Sequence, residues 1–349
     1  MVFMRNHQAI VFLLVMLVAG ISGTSGQNAS TSNTPNKDTP EHLRFVRQFS
    51  SAQDVRRGLP PIVNRSLDIL AGAKEKEPVL EALQHPFGIT TDPSHRIWIT
   101  DPGAGAVHIF DFVHSKYSVL QDPNHLRSPL GIAADRDGNV YVTDISAGNV
   151  FVYDSAGKFL PSLRPSRSHE SYFESPWGIA VDQVTDRIYV CDAARHMVIV
   201  LDRKGHVLAH FGPRGGGRGP GEFRYPTQVA AAGSEIAVLD SGNSRVQILD
   251  AQGRFVREIG LTGTNRRAGL AMDNKKNVYV TDPDLNRLVV FNHDGDRLYD
   301  FGEIGNQPGQ FSGISGIWID SSQCLYVVDS QNKRAQVFRI DGSDGTDCH

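Results

Sequence analysis

Pro129-Leu130-Gly131-Ile132-Ala133-Ala134-Asp135 is followed by Asn139-Val140-Tyr141-Val142-Thr143-Asp144 and then by Asn149-Val150-Phe151-Val152-Tyr153-Asp154. Each segment is short and apolar, the second and third are rich in β-branched and aromatic residues, and all end at an Asp, the pattern of strands between tight turns. Val140 and Val142 alternate with Tyr141 and Thr143, a period of two rather than that of a helix. The middle segment ends in an aspartate, whose short side chain accepts hydrogen bonds from the N–H groups of a neighbouring turn.

The unit recurs along the chain. Pro86-Phe87-Gly88-Ile89 leads into Ile97-Trp98-Ile99-Thr100-Asp101 and Val107-His108-Ile109-Phe110-Asp111. Further copies start at Pro176-Trp177-Gly178 and Pro226-Thr227-Gln228, and two lack the proline, at Arg267-Ala268-Gly269 and Ile314-Ser315-Gly316. The strand-ending aspartates Asp101, Asp144, Asp192, Asp240, Asp282 and Asp329 are separated by 43, 48, 48, 42 and 47 residues. Six copies at this period, each with three or four short strands, are the sequence signature of a β-propeller. A single such sheet cannot bury both faces, whereas radial stacking covers each with its neighbours. The expected fold is all-β, a six-bladed propeller over residues 84–341.

The last copy supplies strands near Gly316–Asp320, Cys324–Asp329 and Ala335–Ile340 but no outer strand. Arg44-Phe45-Val46-Arg47-Gln48-Phe49 copies Arg254-Phe255-Val256-Arg257-Glu258-Ile259, the outer strand of the fourth copy. The N-terminal segment is therefore expected to close the ring on blade six, with Ser66–Ala71 as the rival closing strand. Val63, Leu67 and Leu70 share one helical face ahead of Gly72, so a short helix is expected over Ile62–Gly72 before blade one.

Around this core, the 349 residues are 40% hydrophobic and 21% charged, with 34 glycines and a net charge of −3. That balance fits a globular chain and lacks the positive excess of a nucleic-acid-binding protein. Residues 1–26 read as an export signal: Arg5, then the apolar run Ala9–Ile21, then small residues to Gly26. Thirteen apolar residues are too few to span a bilayer, so cleavage near Gly26 is favoured over a retained anchor, with no stable membrane insertion afterwards. Residues 27–41 are a polar linker, 42–83 hold the closing strand and helical segment, and 342–349 form a flexible tail. Asn28-Ala29-Ser30 and Asn64-Arg65-Ser66 match the glycosylation sequon. The expected location is periplasmic or extracellular, where disulfides persist. Of the three cysteines, Cys191 and Cys324 lie three blades apart and cannot reach each other, which leaves Cys324–Cys348 as the expected bridge and Cys191 as a buried thiol.

Pro-x-Gly-Ile-Ala-x-Asp, Asn-Val-Tyr-Val-Thr-Asp, and Asn243-Ser244-Arg245-Val246 with Asn286-Arg287-Leu288 resemble NHL repeats. The segments Phe211-Gly212-Pro213 through Gly219-Pro220-Gly221-Glu222-Phe223 and Phe301-Gly302 through Pro308-Gly309-Gln310-Phe311 resemble the usual loops between NHL blades. The resemblance covers roughly residues 84–340 and extends to secreted six-bladed propeller proteins of bacteria. In the NHL-repeat lyase acting on peptidyl-hydroxyglycine, it implies metal-binding histidines between Pro and Gly in alternate blades. Here those positions are Phe87, Leu130, Trp177, Thr227, Ala268 and Ser315, none of which ligates zinc in the usual way. No constellation matches the acidic and amide ligands of gluconolactonase-like propellers.

Other motifs carry little chemistry. The repeated aspartates are expected to be turn formers, and Arg245 and Arg287 blade-to-blade partners. Pro213-Arg214-Gly215-Gly216-Gly217-Arg218-Gly219 lacks the Gly-Lys-Ser/Thr and following helix of a phosphate cradle, although its two arginines could attract an anionic partner. His108, His114 and His125 read as surface histidines rather than a metal site. No catalytic residue, metal or cofactor is assigned. The expectation is a monomeric, exported binding or scaffold protein that takes a protein, peptide or small molecule, not nucleic acid, at a channel rim formed by Phe87, Leu130, Trp177, Thr227, Ala268 and Ser315. The competing readings are that these side chains simply plug the channel mouth, or that the chain is a channel-centred lyase or lactonase-like hydrolase.

Overall fold

The computed structural model describes residues 42–56, 81–163, 172–262, 266–341 and 348. The expected signal, the polar linker, the helix over Ile62–Gly72, the rival strand Ser66–Ala71, both sequons and most of the tail lie outside these residues.

Six four-stranded antiparallel sheets follow one another in chain order. Blade two consists of Pro129–Ala134, Val140–Asp144, Asn149–Tyr153 and Phe159–Leu163, each paired with the next. Blade one occupies residues 89–121, blade three 176–211, blade four 226–260 and blade five 270–301. Blade six takes Ile314–Ile319, Cys324–Asp329 and Arg334–Ile340 from the C-terminal part of the chain, and its outer strand is Leu43–Phe49. Leu43 pairs with Ile340 and Phe49 with Ala335, with a register shift between Phe45 and Arg47. The resemblance of this segment to the outer strand of blade four thus reflects an equivalent position. A single helical turn, Ala52–Val55, follows it, capped by the Asp54 carboxylate accepting from Ser50 N at 2.8 Å and Ser51 N at 3.0 Å. Among the described residues no helix is long and apolar enough to cross a membrane.

Middle strands are buried on both faces, as Val140–Asp144 and Ile188–Asp192 are throughout, because each sheet is sandwiched between two others. Aspartates anchor both ends of the blades. At the ends of second strands, Asp144 accepts from Arg127 N and Ser128 N, both at 2.7 Å, and Asp192 from Glu174 N at 2.9 Å and Ser175 N at 3.0 Å. At the opposite end, four inner strands lead into an aspartate that accepts from an aromatic six residues on: Trp98 Nε1 on Asp92 (2.8 Å), Tyr141 on Asp135 (2.9 Å), Tyr279 on Asp273 (3.1 Å) and Tyr326 on Asp320 (3.0 Å). Each buries an aromatic ring while satisfying its polar atom.

Cys324 and Cys348 form the disulfide, with Cα atoms 5.7 Å apart, and the Cys348 carbonyl accepts from Arg47 of the closing strand at 3.3 Å. Cys191 is free and buried, and burial first, then Asp192 and Asp240, holds its thiol well above the usual range, so it stays protonated.

Two expectations are corrected. His108 is buried rather than at the surface: its Nδ1 lies 2.7 Å from the Tyr117 hydroxyl and its Nε2 3.4 Å from Asp101. Burial opposes ionisation of Asp101, but the neighbouring His108 ring and hydrogen bonds from the N–H groups of Gln84 and His85 outweigh it and hold the carboxyl below its usual value. Arg245 and Arg287 do not bridge blades. Arg287 pairs with Asp300 of its own blade at 2.6 Å, and Arg245 binds Asp240 of its own blade and the loop that precedes it.

Candidate functional site

The Pro-x-Gly segments meet around the axis of the ring. A side chain on Gly131 would place its Cβ 2.3 Å from the Trp177 carbonyl, and one on Gly316 2.2 Å from that of Phe87. Glycine is required because the x-position carbonyl of the next blade packs against it. Thr100 joins the same contact, accepting from Gly88 N at 2.8 Å and donating to the Leu130 carbonyl at 2.7 Å. Thr143 and Thr281 repeat this between blades two and three and blades five and six.

Of the six expected rim residues, Phe87, Leu130, Thr227, Ala268 and Ser315 are buried, and Trp177 is half-buried. The Phe87 and Trp177 rings, two blades apart, meet edge to face with centroids 6.3 Å apart. Trp177 Nε1 donates to Ser175 Oγ at 3.1 Å, the Thr227 hydroxyl bonds Ser241, and Ser315 Oγ lies 2.8 Å from Ser330 Oγ. The position one past the glycine points inward instead. Ile89, Ile132, Ile179, Val229, Leu270 and Ile317, one from each blade, line an axial cavity of about 80 Å³. This ring of aliphatics was visible in the repeat alignment but was not singled out. Among the described residues no group of three or more His, Cys, Asp or Glu is placed to hold a metal ion.

A larger cavity, about 680 Å³, opens between blades five and six at the end away from the Pro-x-Gly segments, lined by His42, Asn274, Tyr279, Tyr299, Gln323 and Asp341 among others. Its origin is topological. Elsewhere a hairpin between the third and outer strands reaches the preceding blade, as Arg203 of blade three reaches Asp135 of blade two at 2.6 Å. In blade six those strands come from opposite parts of the chain, and among the described residues no hairpin joins them. His42 stacks on Tyr299 at its edge, ring centroids 4.8 Å apart. No sequence motif marked this cavity, because it arises from a missing connection.

Arginines stand on both faces. At the hairpin end Arg203 pairs with Asp135 and Asp137, Arg136 with Asp186, and Arg257 and Lys276 with Glu235; at the Pro-x-Gly end Arg195 pairs with Glu174 and Asp192, and Arg245 with Asp240. At the Pro-x-Gly end Arg214, Arg218 and Arg224 are exposed and form no ion pair among the described residues.

With six sheets, an axial cavity and blade-to-blade glycine contacts in place, the sequence matches fall into position. A family model described as an NHL repeat matches residues 173–201, and one described as a 6-bladed beta-propeller matches residues 269–345. The chain is a six-bladed β-propeller, and its third blade matches the NHL repeat. Solved structures share this propeller fold at low identity. Virginiamycin B lyase from Staphylococcus aureus is 15% identical, with a TM-score of 0.53 over 74% of this chain and 85% of that one. A gluconolactonase from Xanthomonas campestris is 14% identical, with a TM-score of 0.56 over 74% and 86%. A chain of the nidogen/laminin complex is 17% identical, with a TM-score of 0.53 over 74% and 92%. No curated protein sequence matches this propeller. At these identities the likeness shows the fold alone, and that fold carries unrelated functions.

Proposed function

We propose that this propeller is an exported binding protein that engages a protein, peptide or small-molecule ligand on its Pro-x-Gly face, without catalysis. The observation that carries this reading is the contact of Phe87 with Trp177 above an axial cavity of about 80 Å³ lined by aliphatic residues. Ligand sites commonly occupy about 300–1,000 Å³, so the axis offers little room for a substrate, whereas Trp177 keeps an accessible edge on the face around it. Export is supported by Arg5 and the apolar run Ala9–Ile21, and by the Cys324–Cys348 bridge, which suits an oxidising compartment. N-terminal sequencing and cell fractionation test export; a protein that keeps Met1 and stays in the cytosolic fraction would count against it.

The binding reading is tested by probing a peptide array with the wild type and with Trp177→Ala. The expected result is altered capture with a melting temperature within a degree or two of wild type. Unchanged capture together with a melting temperature several degrees lower would make Trp177 a packing residue and overturn the reading. A channel-centred lyase or lactonase is the competing reading, since two of the similar folds are such enzymes. A stoichiometric transition metal in the purified protein would favour it.

A further inference from the structure

We propose that the segment bound at this face is an acidic stretch of polypeptide, held by arginines around the junction of blades three, four and five. This rests on the binding reading above and names the chemistry of its partner. The argument begins with two loops of this chain that share one scaffold. The loop before blade four, Phe211–Phe223, and the loop before blade six, Phe301–Phe311, end in Pro220-Gly221-Glu222-Phe223 and Pro308-Gly309-Gln310-Phe311. Gly217 N donates to the Phe223 carbonyl and Gly305 N to the Phe311 carbonyl, both at 3.0 Å. Asn243 Nδ2 donates to the Gly217 carbonyl at 2.7 Å, and Asn332 Nδ2 to that of Gly305 at 2.8 Å. Within this shared frame Arg218 stands where the other loop has Asn306, and the two-residue-longer first loop adds Arg214. The frame holds without either arginine, so folding of the loop does not account for them.

Arginines next to the loop extend the charge. Arg224 follows it, and Arg266 lies over the Tyr225 ring, 4.5 Å from the centroid. The patch is contiguous: a Cβ on Gly216 would lie 3.0 Å from that of His196, whose Nδ1 accepts from Tyr225 N at 3.0 Å and whose ring meets Tyr225 at 4.5 Å. Tyr225 has φ +50° directly before Pro226, a left-handed conformation that a bulky residue rarely adopts. Strain of this kind persists where surrounding contacts enforce it, and it collects at binding sites. The acids nearby are largely engaged: Glu222 accepts from Gly219 N at 2.8 Å, Glu258 pairs with Arg245, and Glu174 lies 3.7 Å from Arg195.

Carboxylates complement guanidinium groups, and the half-buried Trp177 suits an apolar side chain of a peptide. A nucleic acid fits less well. Tyr225 already carries Arg266 on its ring and Trp177 meets Phe87, so stacking surface is limited, and the chain as a whole is at −3.

The test is fluorescence anisotropy with a fluorescein-labelled Glu/Asp peptide carrying a central Leu pair, the same peptide written in Gln and Asn, and an oligo-dT of equal length. The acidic peptide should bind more tightly than the neutral one and weaken with salt. Arg214→Gln/Arg218→Gln/Arg224→Gln should reduce its affinity about tenfold or more, with neutral-peptide binding and melting temperature unchanged. Arg218→Glu alone should weaken the acidic peptide, while Arg254→Gln, on the opposite face, should not. Equal binding of the acidic and neutral peptides, or an unaffected triple variant, overturns this proposal but leaves the binding reading standing. Tighter binding of oligo-dT overturns the choice of peptide, and no binding of either peptide overturns this proposal, the binding reading being decided separately by the Trp177→Ala array.

Discussion

The loops Phe211–Phe223 and Phe301–Phe311 are held by the same set of side chains on different blades. Arg245 binds Asp240 at 2.9 Å and the carbonyls of Gly219 and Glu222 at 2.9 and 3.0 Å; Arg334 binds Asp329 at 2.7 Å and the carbonyls of Gln307 and Gln310 at 3.1 and 2.9 Å. Gln247 accepts from Gly221 N at 2.9 Å, and Gln336 from Gly309 N at 3.0 Å. The remaining donor group of each arginine reaches the outer strand, Glu258 in blade four and Gln48 in blade six, both at 2.6–2.7 Å. What differs is the outward decoration. Arginine thus has two uses here: buried, it assembles a loop onto its blade; exposed and unpaired, it leaves the loop's architecture unchanged.

The strongest way to break the comparison is to remove a buried anchor. Arg334→Ala, or Arg245→Ala, strands a buried aspartate and several loop carbonyls and should cost about 3 kcal/mol or more, read by urea unfolding. A loss below about 1 kcal/mol in either would mean that the loops are held some other way. Next comes Arg203→Gln at the hairpin end, where a cost of about 1–2 kcal/mol is expected. Burial opposes ionisation of Asp135, yet hydrogen bonds from Asn139 and Arg203 outweigh it and hold its carboxyl below the usual value. A depressed carboxyl contributes stability above its unfolded-state value, about 3.9, which is lost as pH falls through the folded-state value. Arg203→Gln should therefore raise the pH of the acid-unfolding midpoint, and an unmoved midpoint would refute that assignment.

Gln247→Ala and Gln336→Ala sharpen the comparison further. Each removes bonds to Gly221 or Gly309 and to the following loop carbonyl, and each should cost about 1–2 kcal/mol, similarly in the two blades. The smallest effect is expected for Arg218→Asn, which copies the second loop into the first and should change stability by less than about 0.5 kcal/mol. A larger loss would show that Arg218 belongs to the frame.

The periodic part of this architecture was legible in the sequence. Inner-strand glycines, strand-ending aspartates and the copied motif Arg44–Phe49 recur at fixed places, so six imperfect copies correct one another. The ring's geometry excluded a bridge between Cys191 and Cys324, and the reach of the tail back to blade six pointed to Cys324–Cys348. Contacts between blades were less legible because their spacing along the chain is arbitrary: Arg203 finds Asp135 68 residues away, and Phe87 meets Trp177 across an intervening blade. The aspartate–aromatic pairs, such as Asp135 with Tyr141, recur six residues apart in four blades, a spacing less conspicuous in the sequence than the second-strand aspartates. Arg245 is tied to its own blade by Asp240 and Glu258 and to the loop by the carbonyls of Gly219 and Glu222, and those carbonyls carry no side-chain signature.

Closure by Leu43–Phe49 also sets an order of events during synthesis. This strand emerges early, yet its hydrogen-bonding partner, Arg334–Ile340, is made only after all the intervening blades; Arg44 and Asp341, bonded at the seam, lie 297 residues apart. Until then the early strand waits unpaired while local hairpins assemble, since short-range contacts form long before distant ones. The last pairing registers that every blade has been made, and a chain released before residue 334 retains an open edge on its final blade, the feature by which unfinished β-proteins associate with one another.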